Sequence, residues 1–143
     1  MALVGGGGSP NVSGGSNPAG TGSGLNYIGN HCYAYSGATE SSTGGNTMLN
    51  FTTGSEYIRA KLTCNPSTKY ADVDSAPAAF QLTMDGQIVG AIKFDNNASD
   101  TGGNYWEVNM IIPPYTKIEV EMDSTTDDGT YVGTAILEGR VYA

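Results

Sequence analysis

Residues 116–122 read TKIEVEM, and from Lys117 onward polar and apolar side chains alternate without a break. Successive side chains of a β-strand point to opposite sides of its sheet, so this alternation gives the strand one apolar face and one charged face. Ile118, Val120 and Met122 form the apolar face, and the glutamates between them lie on the other. The segment therefore predicts a strand with one side in a core and the other in water.

The preceding segment predicts a second strand and shows where it ends. Over residues 105–112 the apolar side chains again occupy alternate positions, and Pro113-Pro114 follows directly. Proline has no amide hydrogen for a strand ladder, so it stops the strand at this point. The side chains predicted to share the buried face are Trp106, Val108, Met110 and Ile112.

A hairpin is predicted around Asp85-Gly86. This pair is favoured in two-residue turns in which both central residues need a positive φ. Apolar side chains alternate on both sides of the turn. The side chains predicted to face the core are Phe80, Leu82 and Met84 before the turn and Ile88, Ile92 and Phe94 after it.

The rest of the chain indicates an all-β fold. Further strands are predicted at about 26–35, 47–53, 56–64 and 130–142, and no window has a helical period. Polar loops are predicted at 36–46, 65–75, 95–104 and 123–129. Eight short strands bury their apolar faces by forming two packed sheets, so we expect an eight-stranded antiparallel β-sandwich of the jelly-roll type. An immunoglobulin-like sandwich is less favoured because both cysteines precede Trp106.

The N-terminal segment differs in composition from this body, residues 25–143. Residues 1–24 contain nine Gly, four Ser and two Pro, and no charged side chain precedes Glu40. Such a segment buries too little apolar surface to offset its ordering entropy. Free in solution the segment is therefore expected to be a flexible tail. We predict that residues 1–24 form an extended arm that binds a partner chain, with a plain linker as the alternative. The arm residues predicted to make that contact are Leu3, Val4, Pro10 and Val12.

Charge and composition disfavour several classes of protein. The 14 acidic residues against 6 Lys and Arg give a net charge of −8, which argues against a nucleic-acid binder or a binder of anionic membranes. Residues 1–24 have neither the basic start nor the apolar centre of a secretion signal. With one His in the chain, we expect no enzyme activity, no cofactor and no His-based metal site.

The cysteines and the single histidine have plain structural interpretations. His31 and Cys32 are neighbours, so on a strand they point to opposite faces and cannot act as a catalytic pair. Cys64 is in phase with the apolar positions of its strand. We expect Cys32 and Cys64 to be reduced and buried, with a disulfide between them as the alternative.

Two loops are rich in oxygen ligands, at 95–100 and 123–128. Calcium favours carboxylate and carbonyl oxygens, but neither loop has the spacing of an EF-hand. Asp, Asn and Gly are also common turn residues. Calcium binding is the less favoured of the two interpretations.

The nine tyrosines suggest an interaction surface. Tyrosine is favoured where one end of a side chain is packed and the other is wet, as at protein–protein interfaces. Tyr27, Tyr33 and Tyr35 lie close together in the first predicted strand. We predict that these three tyrosines bind a partner.

Three segments of the body, 47–54, 111–120 and 137–142, resemble small structural proteins of tailed bacteriophages, of the kind found in marine viral sequences. The resemblance implies a virion component that is made in the host cytoplasm, forms a symmetric oligomer and attaches to a capsid or tail. It supplies no catalytic residue.

We therefore expect a virion structural protein, either a capsid decoration or cement protein or a minor capsid protein. Its body would form a homotrimer, and its arm would bind the major capsid protein or another virion subunit. The alternative is a carbohydrate-binding module of a phage tail fibre or receptor-binding protein. A hydrolase is less favoured. Glycoside hydrolysis needs two carboxylates across a cleft, and Glu107, Glu119 and Glu121 fit a solvated sheet surface equally well.

Overall fold

The computed structural model describes residues 24–40, 45–66, 78–94, 105–124 and 132–142. These ranges contain ten β-strands and no helix. The strands are β1 (Asn26–Ile28), β2 (His31–Tyr35), β3 (Thr39–Glu40), β4 (Asn46–Thr52), β5 (Tyr57–Asn65), β6 (Ala78–Met84), β7 (Gln87–Phe94), β8 (Trp106–Ile112), β9 (Lys117–Ser124) and β10 (Val132–Tyr142). No helix in the described ranges is long and apolar enough to cross a membrane. The predicted arm lies outside the described residues except for Gly24.

The strands pair as one long hairpin that is folded over on itself. The antiparallel pairs are β2 with β10, β4 with β9, β5 with β8 and β6 with β7. The first strand of the roll therefore pairs with the last, and the two middle strands pair with each other. Pairing of β10 with β5 and of β9 with β6 then gives two sheets. The large sheet has the order β1-β2-β10-β5-β8, with the short β3 also on β10, and the small sheet has the order β4-β9-β6-β7. This is a jelly roll, so the predicted β-sandwich is confirmed.

The N-terminal part of the body departs from the prediction in two places. The strand predicted over 26–35 is a hairpin, in which β1 and β2 are joined by a turn at 29–30 and Tyr27 pairs with Cys32. Gly29 has a φ of 59° in this turn, a conformation that glycine adopts without strain. The loop predicted over 36–46 contains β3, which pairs with Val132 and Gly133 of β10. β1 and β3 are thus short additions to the eight strands of the roll.

The core lies between the two sheets and follows the predicted alternation. The apolar side of TKIEVEM is fully buried, with Ile118, Val120 and Met122 each at 0% exposure. Strand β5 alternates in the same way over its nine residues. The largest buried side chains from both sheets are Phe80, Leu25, Leu49, Ile58, Leu62, Leu82, Ile112, Ile118, Met122, Leu137 and Val120.

The predicted hairpin at Asp85-Gly86 is confirmed, with φ values of 48° and 79° at the two turn residues. One predicted core residue on its return strand is wrong. Thr83 pairs with Ile88 and Leu82 pairs with Gly90, so the register shifts at this point and Val89 is the extra residue. A one-residue shift moves a side chain to the other face of a sheet. Ile88 is therefore 62% exposed.

The register shift also brings Gly90 to the inner side, where it faces the other sheet. A Cβ atom at Gly90 would lie 3.0 Å from the Trp106 indole. Trp106 is half-buried and packs against the core. Edge strand β7 of the small sheet and edge strand β8 of the large sheet therefore meet through this glycine and this tryptophan.

Hydrogen bonds join the β4–β5 and β8–β9 connections into one corner. The Thr116 amide donates to Thr53 Oγ1 at 2.9 Å, and the Thr53 amide donates to the Thr116 carbonyl at 3.0 Å. Thr53 Oγ1 donates in turn to the Pro113 carbonyl at 2.8 Å. Both threonines are buried, so these bonds satisfy polar groups that would otherwise be costly to bury.

Candidate partner-binding face

The outer side of the large sheet carries an unusual set of exposed side chains, and we call it the large-sheet face. It consists of the outward-pointing residues of β1, β2, β10, β5 and β8. Five of the nine exposed large apolar or aromatic residues of the described chain lie on it, which are Ile28, Tyr57, Ile111, Ile136 and Tyr142.

Strand register brings two pairs of like residues together on this face. Tyr142 of β10 pairs with Tyr57 of β5, and two residues away Arg140 pairs with Arg59. Residues directly opposite on antiparallel strands have Cβ atoms about 5 Å apart. The two tyrosines and two arginines thus form a compact block, which we call the Tyr–Arg block.

The row through the two arginines crosses the whole sheet. Arg140 pairs with His31 on β2, and Arg59 pairs with Ile111 on β8. His31 pairs in turn with Ile28 on β1. The row therefore has cationic or titratable side chains in its centre and an isoleucine, each 65% exposed, at both ends.

The arginines of the Tyr–Arg block have no carboxylate partner in the described residues. The Arg140 guanidinium lies over the Tyr142 ring, 5.7 Å from its centroid. In the next row, Lys61 Nζ and Glu138 Oε1 form an ion pair at 3.3 Å. Glu138 is thus engaged by the lysine, and neither arginine forms an ion pair with a carboxylate in the described residues.

An open depression of about 300 Å³ lies beside the block. Its lining includes His31, Arg59, Lys61 and Asn109. All four side chains can donate hydrogen bonds from their N–H groups. Glu138 is the acidic residue that also borders the depression.

The three tyrosines predicted to bind a partner do not form one cluster. Tyr33 and Tyr35 are half-buried on the large-sheet face, with ring centroids 5.2 Å apart. Tyr27 pairs with Cys32 and packs against the core, so it lies on the inner side. The predicted contact residues Leu3, Val4, Pro10 and Val12 lie outside the described residues.

The outer side of the small sheet, the small-sheet face, has a different chemistry. Glu119, Glu121 and Asp123 follow one another along the outside of β9. The pKa of Glu121 is raised, mainly because the carboxyl group is partly buried. The charge of Glu119, a hydrogen bond with Glu119 and the charge of Asp123 raise it further. Lys117 Nζ lies 3.3 Å from Glu119 Oε2 and compensates part of this charge.

The cysteines are placed as predicted. Cys32 and Cys64 are buried and free, and burial raises the pKa of both thiols to about 12. They lie on opposite sides of β10, opposite Gly139 and Ala135. Two strand spacings and four residues along β10 separate them by more than about 15 Å, far beyond the reach of a disulfide at about 7 Å.

His31 is exposed and Cys32 is buried, which confirms that the two neighbouring side chains point to opposite faces of β2. Among the described residues, no group of three or more His, Cys, Asp or Glu is arranged to hold a metal ion. The two loops rich in oxygen ligands, 95–100 and 123–128, lie outside those ranges apart from Asp123 and Ser124.

Sequence reasoning missed the Tyr–Arg block. The alternation of β5 places Tyr57, Arg59 and Lys61 on one face, but Arg140 and Tyr142 are near the end of the chain. Only the register between β5 and β10 brings the two sets together. The signal that could have found the block is that the same two residue types, at the same two-residue spacing, occur on both strands.

Comparison with known proteins gives only weak structural likeness. No protein-family model and no curated protein matches the chain. A chain in the structure of infectious bursal disease virus, Gx strain, is similar with a TM-score of 0.37 and 14% identity over 77% of this chain. This chain spans about a third of the viral chain, 32% of its length. The resemblance to tailed-bacteriophage proteins stays a prediction.

Proposed function

We propose that the chain is a structural protein of a virus particle, a capsid decoration or minor capsid protein, and that its large-sheet face attaches it to neighbouring shell subunits. The observation that carries this proposal is the concentration of exposed isoleucine, tyrosine and arginine on that face. Jelly rolls form viral capsid domains and lectin domains alike. The fold is therefore compatible with the proposal but does not distinguish a capsid protein from a lectin. The likeness to the virus structure is too low to add support.

The composition and size of the large-sheet face suit a protein partner. Aromatic residues and arginine are enriched at protein interfaces relative to the rest of the surface. The five strands of the face have 3, 5, 11, 9 and 7 residues. At a rise of about 3.4 Å per residue and a strand spacing of about 4.8 Å, they give a projected area on the order of 600 Å². This is close to the roughly 800 Å² that each partner buries in a stable interface.

The arm and a trimeric body complete the proposal. Residues 1–24 would extend onto a neighbouring subunit such as the major capsid protein, with the body held as a homotrimer in the virion. Linked contacts of this kind gain avidity from high effective concentration without any single strong site. No catalytic step is assigned to the chain.

The large-sheet face is tested by competition for incorporation into particles of the virus that encodes the chain. Wild type and Ile111→Asp are co-expressed, and their ratio in purified particles is measured by quantitative mass spectrometry. The matched control is Ile88→Asp, because Ile88 is also an exposed strand residue, at 62% against 65%, but lies on the small sheet. We expect loss of Ile111→Asp from particles and retention of Ile88→Asp. Equal incorporation of the two variants would contradict the assignment of this face.

The arm is tested separately by deleting residues 2–24. We expect the truncated chain to give the circular dichroism spectrum of a folded β-protein and to be absent from particles. Incorporation of the truncated chain at the wild-type level would refute the contribution of the arm.

The alternative function, a carbohydrate-binding module of a tail fibre, is favoured by one observation. Tyr57 and Tyr142 are paired and about half-exposed, at 54% and 46%, so both rings are accessible for stacking on a sugar. Trp106 is less suitable because it packs on Gly90. Glycan-array binding that is lost in Tyr57→Ala and Tyr142→Ala would favour this function over the structural one.

A further inference from the structure

Arg59 and Arg140 stand directly opposite each other on neighbouring strands. Neither arginine forms an ion pair in the described residues, in contrast to Lys61 with Glu138 and Lys117 with Glu119. Like charges directly opposite on neighbouring strands destabilise a sheet. The pair therefore costs the free chain stability, and the cost is removed when an anion binds between the two guanidinium groups.

The placement of these arginines is notable in a chain with a net charge of −8 and 14 acidic residues. They are the two arginines of the whole sequence, and they lie in one row of one sheet, with His31 beside Arg140. An arginine presents a planar fork that binds a carboxylate with two parallel hydrogen bonds. Two forks side by side offer room for one or two carboxylates.

The residues around the arginines define the rest of the ligand. Ile28 and Ile111 end the row on either side and are each 65% exposed, and Tyr57 and Tyr142 lie in the adjacent row. The depression lined by His31 and Arg59 is large enough to hold one side chain of the ligand. A ligand that covers this region must bring carboxylates to its centre and apolar groups to its ends.

We propose that the Tyr–Arg block binds an acidic segment of the shell partner, in which Asp or Glu side chains are flanked by apolar side chains. This inference rests on the proposed function and names the chemistry of the partner. The carboxylates lie between Arg59 and Arg140, and the flanking apolar side chains cover Ile28 and Ile111.

A protein segment fits better than an anionic glycan for a specific reason. Sulfated or carboxylated sugars satisfy arginines, but their hydroxyl groups would be desolvated against the isoleucines at both ends of the row. Burying a hydroxyl group against an apolar side chain without a hydrogen bond is unfavourable. Apolar side chains of a protein partner gain from the same contact.

The inference is tested with the double variant Arg59→Gln/Arg140→Gln. The matched control is Lys93→Gln/Lys117→Gln, which removes two positive charges from the small sheet and gives the same net charge. In the particle competition we expect the arginine variant to fall at least about tenfold below the control, as expected for hydrogen bonds between charged groups. Circular dichroism and thermal melting establish that both variants are folded.

A second measurement uses the purified full-length chain and defined probes in isothermal titration calorimetry. The probes are a soluble peptide in which Glu alternates with Leu, the same peptide with Gln for Glu, and heparin. We expect binding of the Glu peptide by wild type and by the lysine control, and its loss in the arginine variant. We expect no binding of the Gln peptide.

The outcomes separate the inference from the proposed function. If the arginine variant enters particles like its control while Ile111→Asp does not, the face binds the shell and the acidic-partner inference is wrong. If both variants enter particles normally, the proposed function fails as well. Arginine-dependent binding of heparin without binding of the Glu peptide would replace the acidic protein segment by an anionic glycan and so overturn the inference.

Discussion

The two sheets are alike on their inner sides and unlike on their outer sides. Inside, both present packed aliphatic and aromatic side chains in an alternation that register shifts interrupt in β4 and β7. Outside, the small sheet has an acidic row on β9 beside uncharged residues such as Thr47 and Gln81. The small sheet also exposes Ile88 and Val89 on its edge strand β7. The large sheet exposes three isoleucines, two tyrosines and both arginines.

This difference separates what folding requires from what it leaves free. A sandwich needs two apolar inner faces, and both sheets supply one. Nothing in folding requires an exposed isoleucine at each end of a row or an arginine opposite an arginine. Features of the large-sheet face that cost solubility or stability therefore point to a partner.

The largest expected effect comes from a change on the inner side of the large sheet. A Cβ atom at Gly139 would lie 2.8 Å from the Arg59 carbonyl oxygen and 3.2 Å from Ala60 Cα, both of them backbone atoms. We expect Gly139→Val to lower the free energy of unfolding by about 3 kcal/mol, at the upper end of the usual cost of overpacking. Urea denaturation followed by circular dichroism measures the change.

The matched control is Ala91→Val, which places the same valine side chain on the exposed outer side of β7. We expect its free energy of unfolding to stay within about 0.5 kcal/mol of wild type. Equal destabilisation by the two substitutions would mean that inner and outer positions are not distinguished in the way the structure shows.

The inner faces were predictable from sequence because alternation alone defines them. The seven residues of TKIEVEM give the buried and exposed sides of β9 correctly, and Asp85-Gly86 gives the turn. The misplacement of Ile88 has a physical cause. The extra residue Val89 reverses the alternation within β7, and no local sequence pattern predicts this register shift.

The outer faces could be predicted only in part, because their chemistry depends on which strands are neighbours. The grouping of Tyr33 with Tyr35 follows from their two-residue spacing on one strand. The grouping of Arg59 with Arg140 needs the pairing of β5 with β10, which is a property of the whole topology. Tyr27 was grouped wrongly with the other tyrosines because a turn at 29–30 separates β1 from β2.

A smaller effect compares single cations on the two outer faces. We expect Arg59→Gln to raise the free energy of unfolding by about 0.2–1 kcal/mol, because it removes the like-charge contact with Arg140. We expect Lys117→Gln to lower it by about 0.5 kcal/mol or less, because it removes the exposed ion pair with Glu119. Urea denaturation at low ionic strength measures both changes.

Salt provides the control for this pair of substitutions. Screening weakens interactions between exposed charges, so both differences from wild type should shrink at high ionic strength while keeping their opposite signs. Destabilisation by Arg59→Gln at low salt would show that Arg59 is compensated within the free chain, and the argument from uncompensated charge would then be wrong.

The smallest effect concerns the acidic row of the small-sheet face. The pKa of Glu121 is raised in the folded chain by partial burial, by Glu119 and by Asp123, while the residues opposite it on β4 and β6, Thr47 and Gln81, are uncharged. A carboxyl group with a raised folded-state pKa favours the fold when protonated and opposes it when ionised.

At neutral pH we therefore expect Glu121→Gln to be more stable than wild type, by less than about 0.5 kcal/mol as for other exposed charges. The difference should vanish as the pH falls through the pKa of Glu121, because wild type then takes up the proton. Urea denaturation across this pH range checks the sign, and a difference that grows toward acid pH would show that the ionised Glu121 stabilises the small sheet.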